Sequence, residues 1–448
     1  MAKRFMALLL ALLLLLSLSA CASAPAGSVE SPSHSPAVAA EPSDSPALPE
    51  DIELGEVYDK STVELPGNSV YLQDAVTTGS RLFLYGLDES QTPCFYIMDA
   101  GTRSIEPYAI DVPGSIAAVC QSRDDVQAVL AIDEAGQSVL HMFSDGAETG
   151  SVTLALPKNA ASDVILGAAL VGEHLIITGA NELLLYGIDG TPEKSLGEYS
   201  RFAACILNND GTVLICHGVP AALGAYETKT CFTLLDSGMN ELGRYELQEE
   251  FSSFHKSAKP GHVLVRGGNT LYKLDYASGE KAALIDCFTS SMHTNTLISL
   301  DDDSYFGIES GRPVLWSLPD GSSVVLTLAA YNANYPLLCL IEEYNAQSTG
   351  YKISVIDYAE FDAQGVAAGM TRLQADIAAG FAPDMYDLAN LPVEKYVKAG
   401  LLDELSPWFG EGEEVSLADF VPGAARAMAA DGELYYITPS FSLLLIAA

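Results

Sequence analysis

The stretch from His174 to Gly190, HLIITGANELLLYGIDG, holds two short apolar runs around a Gly-Ala-Asn turn and ends on Asp and Gly. Runs of this length, rich in Leu, Ile, Thr and Tyr and bounded by turn residues, read as a pair of β-strands. The same pattern recurs on both sides of it, in RLFLYGLD (81–88), AVLAIDEAG (128–136), TVLICHG (212–218), HVLVRGGNTLYKLDYASGE (262–280) and PVLWSLPDG (313–321). Many of these runs close on an apolar residue, an Asp and a Gly-bearing turn. The aspartates fall at 99, 145, 189, 236, 275 and 320, in steps of 46, 44, 47, 39 and 45 residues. A period near forty-four with about four strands per unit is the pattern of a β-propeller blade. One blade leaves a face unburied, so neighbours must stack and the ring must close.

Residues 52–321 therefore read as an all-β propeller-like domain of six or seven blades, with no convincing helix in it. The segment DIELGEVYDKSTVELP (51–66) either completes the ring or belongs to a seventh blade. The repeated Asp reads as a turn residue, because its carboxylate bonds backbone two residues on. Asp301–Asp303, in LDDDSYFG, invites a calcium reading. Its spacing lacks the alternation of an oxygen-ligand loop, so a solvated hairpin tip is expected instead.

Near residue 322 the period changes. Val324–Ala330 is strand-like, and after it Leu337, Leu338, Ile341 and Tyr344 recur at helical spacing with Glu342 and Glu343 opposite. YKISVIDY (351–358) is a second strand. Met370, Leu373, Ile377 and Phe381 then form an apolar stripe that stops at Gly380 and Pro383. DMYDLANL (384–391) reads as a third strand, and Val393, Val397, Leu401 or Leu402, and Leu405 as a third helix. Ser416 with Asp419 resembles a helix start, with Pro422 kinking or restarting that helix before Gly432. ELYYIT (433–438) reads as a fourth strand. Alternating strands and helices with short loops imply a parallel α/β sheet.

At the other end, Lys3 and Arg4 precede FMALLLALLLLLS (5–17), an apolar core too short and too early for an ordinary spanning helix. LSAC, Leu18 to Cys21, resembles the lipobox of bacterial lipoproteins. The resemblance implies a signal peptide over residues 1–20 and a Cys21 that is acylated, holding the chain on the outer face of the cell membrane. The alternative is a plain secretory signal with a chance cysteine. Residues 21–51 follow as a tether rich in Pro, Ser and Ala, with six prolines between 22 and 50. Such a stretch cannot bury enough surface to offset its ordering entropy, and at ~3.1 Å per residue it reaches at most roughly 90 Å.

The formal net charge is −37, from 22 basic and 59 acidic residues. That argues against nucleic acid and against docking on anionic lipid, and says little about a neutral ligand. Beyond Cys21 there are cysteines at 94, 120, 205, 216, 231, 287 and 339, an odd number without CxxC spacing. No structural disulfide is expected. Serine-hydrolase, zinc-protease, Walker and dinucleotide motifs are missing. His255 and His262 only flank a Lys-Pro-Gly turn. The expectation is a protein that is no enzyme and needs no cofactor or metal.

The run 323–448 resembles the beginning of a family 1 extracellular solute-binding protein, the receptor of an ABC importer. The matching pieces are LTLAAY (326–331), IEEYNAQSTGYKISVIDY (341–358), LQADIAAGFAPDMYDL (373–388), VEKYVKAGLLDELSPWF (393–409) and DGELYYITPSF (431–441). The resemblance implies a partial α/β periplasmic-binding-protein-like lobe over 322–448, a solute that is frequently a sugar, and an ABC permease in the membrane as partner. YYITPSFS would correspond to about the middle of the family's first lobe, so the chain is expected to be a fragment. Ligands of open α/β sheets sit beyond the carboxyl ends of the strands. That places Tyr331, Asn332 and Asn334 after the first strand, Tyr358 and Glu360 after the second, Asn390 after the third, and Ser440 with Phe441 after the fourth. Aromatic faces and amide groups of this kind suit a sugar. Asp384 reads as a turn and helix-stop residue. The competing reading is a surface interaction or adhesion protein whose propeller binds a wall polymer or a protein.

Overall fold

The computed structural model describes residues 55–67, 70–156, 165–179, 182–198, 201–220, 228–294, 296–319, 323–347, 350–364, 368–381, 383–409, 428–430 and 433–437. Cys21, the signal and tether segments, Asp320, the helix expected around 417–430 up to Ala427, and Ser440 with Phe441 lie outside the described residues. The chain divides into two compact units with the break between Ser322 and Ser323.

The first unit opens with β1 (Asp59–Thr62). Blade 1 is β2 (Val70–Thr78), β3 (Arg81–Asp88), β4 (Pro93–Asp99) and β5 (Ile105–Pro107). Blade 2 is β6 (Ser115–Ser122), β7 (Gln127–Ile132), β8 (Ser138–Ser144) and β9 (Ala147–Leu154). Blade 3 is β10 (Gly167–Val171), β11 (His174–Thr178), β12 (Glu182–Gly187) and β13 (Pro192–Glu198). Blade 4 is β14 (Arg201–Leu207), β15 (Val213–Pro220), β16 (Thr228–Leu235) and β17 (Glu241–Leu247). Blade 5 is β18 (Ser253–Lys256), β19 (His262–Gly267), β20 (Thr270–Asp275) and β21 (Lys281–Asp286). Blade 6 takes β22 (Leu297–Ser299), β23 (Ser304–Glu309) and β24 (Arg312–Ser317), and its fourth strand is β1. Each blade is an antiparallel meander, and the innermost strands β2, β6 and β10 also pair in parallel from blade to blade.

Six apolar clusters, one in each seam between blades, show that the ring is closed. Leu175, Ile177, Leu184 and Tyr186 pack on blade 2 through Cys120, Leu130 and Leu140. Their alternates Ile176, Leu183 and Leu185 pack on blade 4 through Leu207, Val213 and Ile215. Both faces of these strands are thus buried, which is why residues 174–190 read as nearly continuous apolar runs. Three more clusters fill the seams of blades 1 and 2, 4 and 5, and 5 and 6. In the last seam, Leu72, Leu84 and Met98 of blade 1 meet Ile298, Phe306 and Leu315 of blade 6. The segment 51–66 therefore supplies no seventh blade: its strand completes the sixth.

The segment that closes the ring is held on two blades. Glu56 N–H donates to the Leu284 carbonyl (3.0 Å), and Asp286 N–H donates to the Glu56 carbonyl (2.9 Å). Gly55 lies so close to blade 5 that a Cβ there would sit 2.3 Å from the Ile285 carbonyl carbon, so no larger residue fits. Tyr58 is buried, meets Tyr305 edge to face at 5.6 Å, and donates its N–H to Ser290 Oγ (2.9 Å). The register then runs from Asp59 opposite Ser317 to Thr62 opposite Val314.

The recurrent aspartates do local work. Asp99 and Asp275 end the third strands of their blades, Asp189 and Asp236 follow them, and each accepts N–H groups of its own turn at 2.7–3.0 Å. Those bonds hold the carboxyls of Asp99, Asp236 and Asp275 below the usual carboxylate range, and at Asp189 the Thr191 hydroxyl does so ahead of the Thr191 N–H. Asp145 instead adopts φ +48°, followed by Gly146 at +79°, the two-residue turn that a right-twisted hairpin requires. Asp301–Asp303 form the exposed turn between β22 and β23, with Asp303 N–H donating to Asp301 Oδ1.

The second unit is built on a parallel sheet in the order β26 (Tyr351–Asp357), β25 (Val324–Ala330), β27 (Met385–Tyr386). Helix α1 (Tyr335–Gln347) joins β25 to β26. A 3₁₀ stretch (Tyr358–Gln364) and α2 (Ala368–Ala378) join β26 to β27. Helix α3 (Val393–Lys398) follows. Asn345 on α1 clamps the β26 backbone, donating to the Ile353 carbonyl and accepting from Ile353 N–H at 2.9 and 2.8 Å.

Three expectations need correction. The third strand stops at Tyr386, because Asp387 caps a 3₁₀ turn over Leu388–Asn390. The third helix ends at Lys398, since Gly400 turns left-handed (φ +68°) and leaves Leu401, Leu402 and Leu405 outside it. The fourth strand does not join the parallel sheet. Residues Glu433–Leu434 pair antiparallel with Ala429–Ala430 in a separate two-stranded sheet, packed through Leu434 on Leu405, Phe409 and Met428.

Candidate functional site

The carboxyl ends of β25, β26 and β27 bring Tyr331, Asn332 and Asn390 of the expected residues to one edge. β25 ends at Ala330, so Tyr331 and Asn332 stand in the turn that leaves the sheet. Asn332 is left-handed, φ +61°, a conformation Asn tolerates better than most side chains. Asp357, the last residue of β26, holds that turn: its two carboxylate oxygens accept Asn332 N–H (2.8 Å) and Ala333 N–H (3.0 Å). Oδ1 also accepts Ala359 N–H at 3.0 Å, so one side chain shapes the loops after two strands.

The loop after the third strand joins them. Asn390, exposed, donates its amide N–H to the Tyr331 carbonyl at 2.9 Å. The Tyr331 hydroxyl donates to Asp362 Oδ2 at 2.8 Å, which fixes the ring and raises the phenol's pKa. Asp362 Oδ1 in turn accepts Gly369 N–H (2.8 Å) near the start of α2. Tyr331, Asn332 and Asn390 are thereby brought together, with Glu360 exposed one turn beyond β26.

Two expected residues are placed elsewhere. Tyr358 is fully buried, donates its hydroxyl to Asp376 Oδ2 (3.0 Å) and packs on Phe361, so its ring is core and not a stacking surface. Arg372 holds the same carboxylate through Nε at 2.8 and 2.9 Å. The Asn334 amide oxygen is committed to Leu337 N–H (3.0 Å), capping the first turn of α1. Asp384, expected as a turn and helix-stop residue, also bonds across to β25. Its Oδ2 accepts both Thr327 N–H (2.7 Å) and Thr327 Oγ1–H (2.9 Å), tying the approach to β27 to the middle of β25. Sequence reasoning missed Asp357 and Asp362. The signal for Asp357 was present, an acid closing the strand-like YKISVID.

The edge offers one aromatic ring, amide groups and an exposed carboxylate. No group of three or more His, Cys, Asp or Glu placed to hold a metal ion occurs among the described residues. No described helix is long and apolar enough to cross a membrane.

On the first unit, blade 5 carries a shallow hollow lined by Lys259, His262, Lys273, Asp275, Glu280 and Lys281. Its opposed charges nearly cancel. The innermost strands β2 and β18 carry ionisable groups, His255 buried and Asp74 and Lys256 half-buried. Burial raises Asp74 to about 6, and lowers His255 to about 4 and Lys256 to about 8. Asp74 Oδ1 accepts Ala75 N–H at 2.8 Å, which offsets part of that desolvation.

No family model matches the chain, and no curated protein matches it. Similar solved structures are β-propellers. The WD40 domain of Pan2 from Neurospora crassa aligns with a TM-score of 0.38 at 10% identity, over 60% of this chain and 98% of that one. YCF48 bound to D1 peptide aligns at 0.36 and 11% identity, over 60% and 100%. The β-propeller domain of the Trilobed protease from Pyrococcus furiosus aligns at 0.33 and 14%, over 53% and 78%. At these scores the fold rests on the strand pairing and the six seams described above, and these likenesses say nothing about activity.

Proposed function

We propose that the chain is a membrane-anchored, extracytoplasmic solute-binding lipoprotein that serves an ABC importer, lipidated at Cys21, with a sugar as its solute. It is a binding protein in this reading and not an enzyme. The observation that carries it is the hydrogen-bonded link from Asn390 to Tyr331 and from Asp357 to Asn332, which gathers the loops after all three parallel strands at one polar edge. That edge lies where ligands of open parallel sheets bind, and the segments that build it are those resembling the solute-binding family.

The test is a thermal-shift titration of the full chain against monosaccharides and oligosaccharides, with peptides and metal ions in parallel. A ligand at a hundred times its Kd stabilises the native state by about 2.7 kcal/mol, a readily measured shift. Tyr331→Ala and Asn390→Ala are expected to remove the response. The reading is abandoned if no compound of the three classes shifts the transition. Cys21→Ser separately tests the anchor, and is expected to move the protein out of the membrane fraction.

A further inference from the structure

The chain enters and leaves the propeller at one place. β1 is the outermost strand of blade 6 and β24 is its antiparallel neighbour, with Asp59 directly opposite Ser317. Opposite residues of such a pair have Cα atoms about 4.5–5.5 Å apart. Everything between them, six blades and their seams, therefore hangs from a joint one strand spacing wide. A spacer would bring the chain in on one side and release it on the other. Here the path from Tyr58 to Leu318 gains almost no length by passing through the ring.

We infer that the propeller is a pendant module and not a spacer: a pull between the chain before Tyr58 and the chain after Leu318 loads the joint of β1 with β24 and the bonds of Glu56 and Tyr58 beside it, and bypasses blades 1 to 4 while these hold. The geometry also fixes how the joint fails. The loaded residues, Asp59 and Ser317, sit at the same end of the ladder, so the pull peels the pairs one at a time from Asp59 to Thr62. Before peeling begins it must break the bonds of Glu56 to blade 5 and the bond of Tyr58 N–H to Ser290, because these lie upstream of β1. Lys60 adds a further hold within the ladder, with its ammonium on Glu309 and on the Ser291 carbonyl (3.1 Å). Blades 1 to 4 are left free of load. This inference rests on strand topology and does not depend on the solute-binding reading.

The experiment is the double variant Asp59→Cys/Ser317→Cys of the full chain, held by its two termini in an optical trap. A Cα separation near 5 Å is within the range a disulfide spans. The closed bridge is verified by peptide mapping against the native thiols. With the bridge reduced, stretching is expected to release the propeller's roughly 900 Å of chain at full extension. With it oxidised, that release is expected to vanish while the extension of the second unit remains. The inference is overturned if Ser61→Pro, which weakens the ladder of β1 with β24, leaves the force of the first release from the reduced protein unchanged. It is equally overturned if the two cysteines, both titratable, fail to close under oxidant, since the ends would then not be neighbours.

Discussion

Replacing Tyr58 with Ala tests whether the N-terminal strand closes the ring. The side chain is 1% exposed and packs edge to face on Tyr305 in the seam that also holds Trp316, Leu264 and Leu271. A buried aromatic of this size removes about 150–250 Å² from water, and at ~25 cal/mol per Å² that amounts to about 4–6 kcal/mol as an upper bound. Truncations of buried aromatics to Ala cost about 3–5 kcal/mol, so about 4 kcal/mol is expected. For a domain of this size that lowers the midpoint of thermal unfolding by on the order of 10 °C. The chain has two tryptophans, Trp316 and Trp408, in different units. In a Trp408→Phe background, fluorescence therefore reports the propeller alone. Tyr71→Ala is the control, because Tyr71 is 56% exposed and stands on the neighbouring blade. Its cost is expected to stay below about 1 kcal/mol. If the two variants unfold together, within about 2 °C of the parent, then β1 does not close the ring in solution.

Two desolvated groups in the propeller, one buried and one half-buried, oppose each other in pH dependence. His255, lowered to about 4, contributes stability that is lost as pH falls from about 6.5 to 4, whereas Asp74, raised to about 6, costs stability that is regained over about 6 to 4. Each amounts to about 3 kcal/mol by linkage, so the parent is expected to show a nearly flat profile in urea unfolding between pH 4 and 6. Asp74→Asn should leave a profile that falls on acidification, and His255→Gln one that rises; equal slopes in both would sink the assignment. Native thiol titration is expected to find Cys94 and Cys339 reactive and Cys120, Cys205, Cys216, Cys231 and Cys287 silent, since the last five are buried and burial pushes Cys120 and Cys205 to about 12. Prompt labelling of any of the five, located by peptide mapping, would contradict the seams. Asp384→Ala should destabilise the second unit by about 1–3 kcal/mol, because it strips two donors of Thr327 of their acceptor. Trp408 fluorescence in a Trp316→Phe background reads that change, and a shift under 0.5 kcal/mol would mean water replaces the carboxylate, by the usual scale of surface substitutions.

The sequence by itself determined the blades and the place where one architecture gives way to another. Strand runs of a few residues, punctuated by Asp and Gly, are local signals, and each recurrent Asp that the structure describes serves the turn it marks. The helical stripes were equally local: Leu373 and Tyr344, picked out by spacing alone, are buried in α2 and α1. Whether residues 51–66 complete the ring or start a seventh blade was not legible, because the partner of their strand, β24, lies over two hundred residues away and no local pattern names a partner at that distance. Tertiary packing also decided which side chains of the second unit remain available. Tyr331 and Tyr358 each close a strand-like run with the same chemistry, yet one stands at the polar edge and the other lies under α2 with its hydroxyl on Asp376. The short α3 and the detached hairpin at Ala429–Leu434 share that cause. Spacing gives the period of an apolar stripe, whereas the left-handed Gly400 and the pairing of β29 (Glu433–Leu434) with β28 (Ala429–Ala430) depend on backbone geometry and on which edge offers unpaired hydrogen-bonding groups.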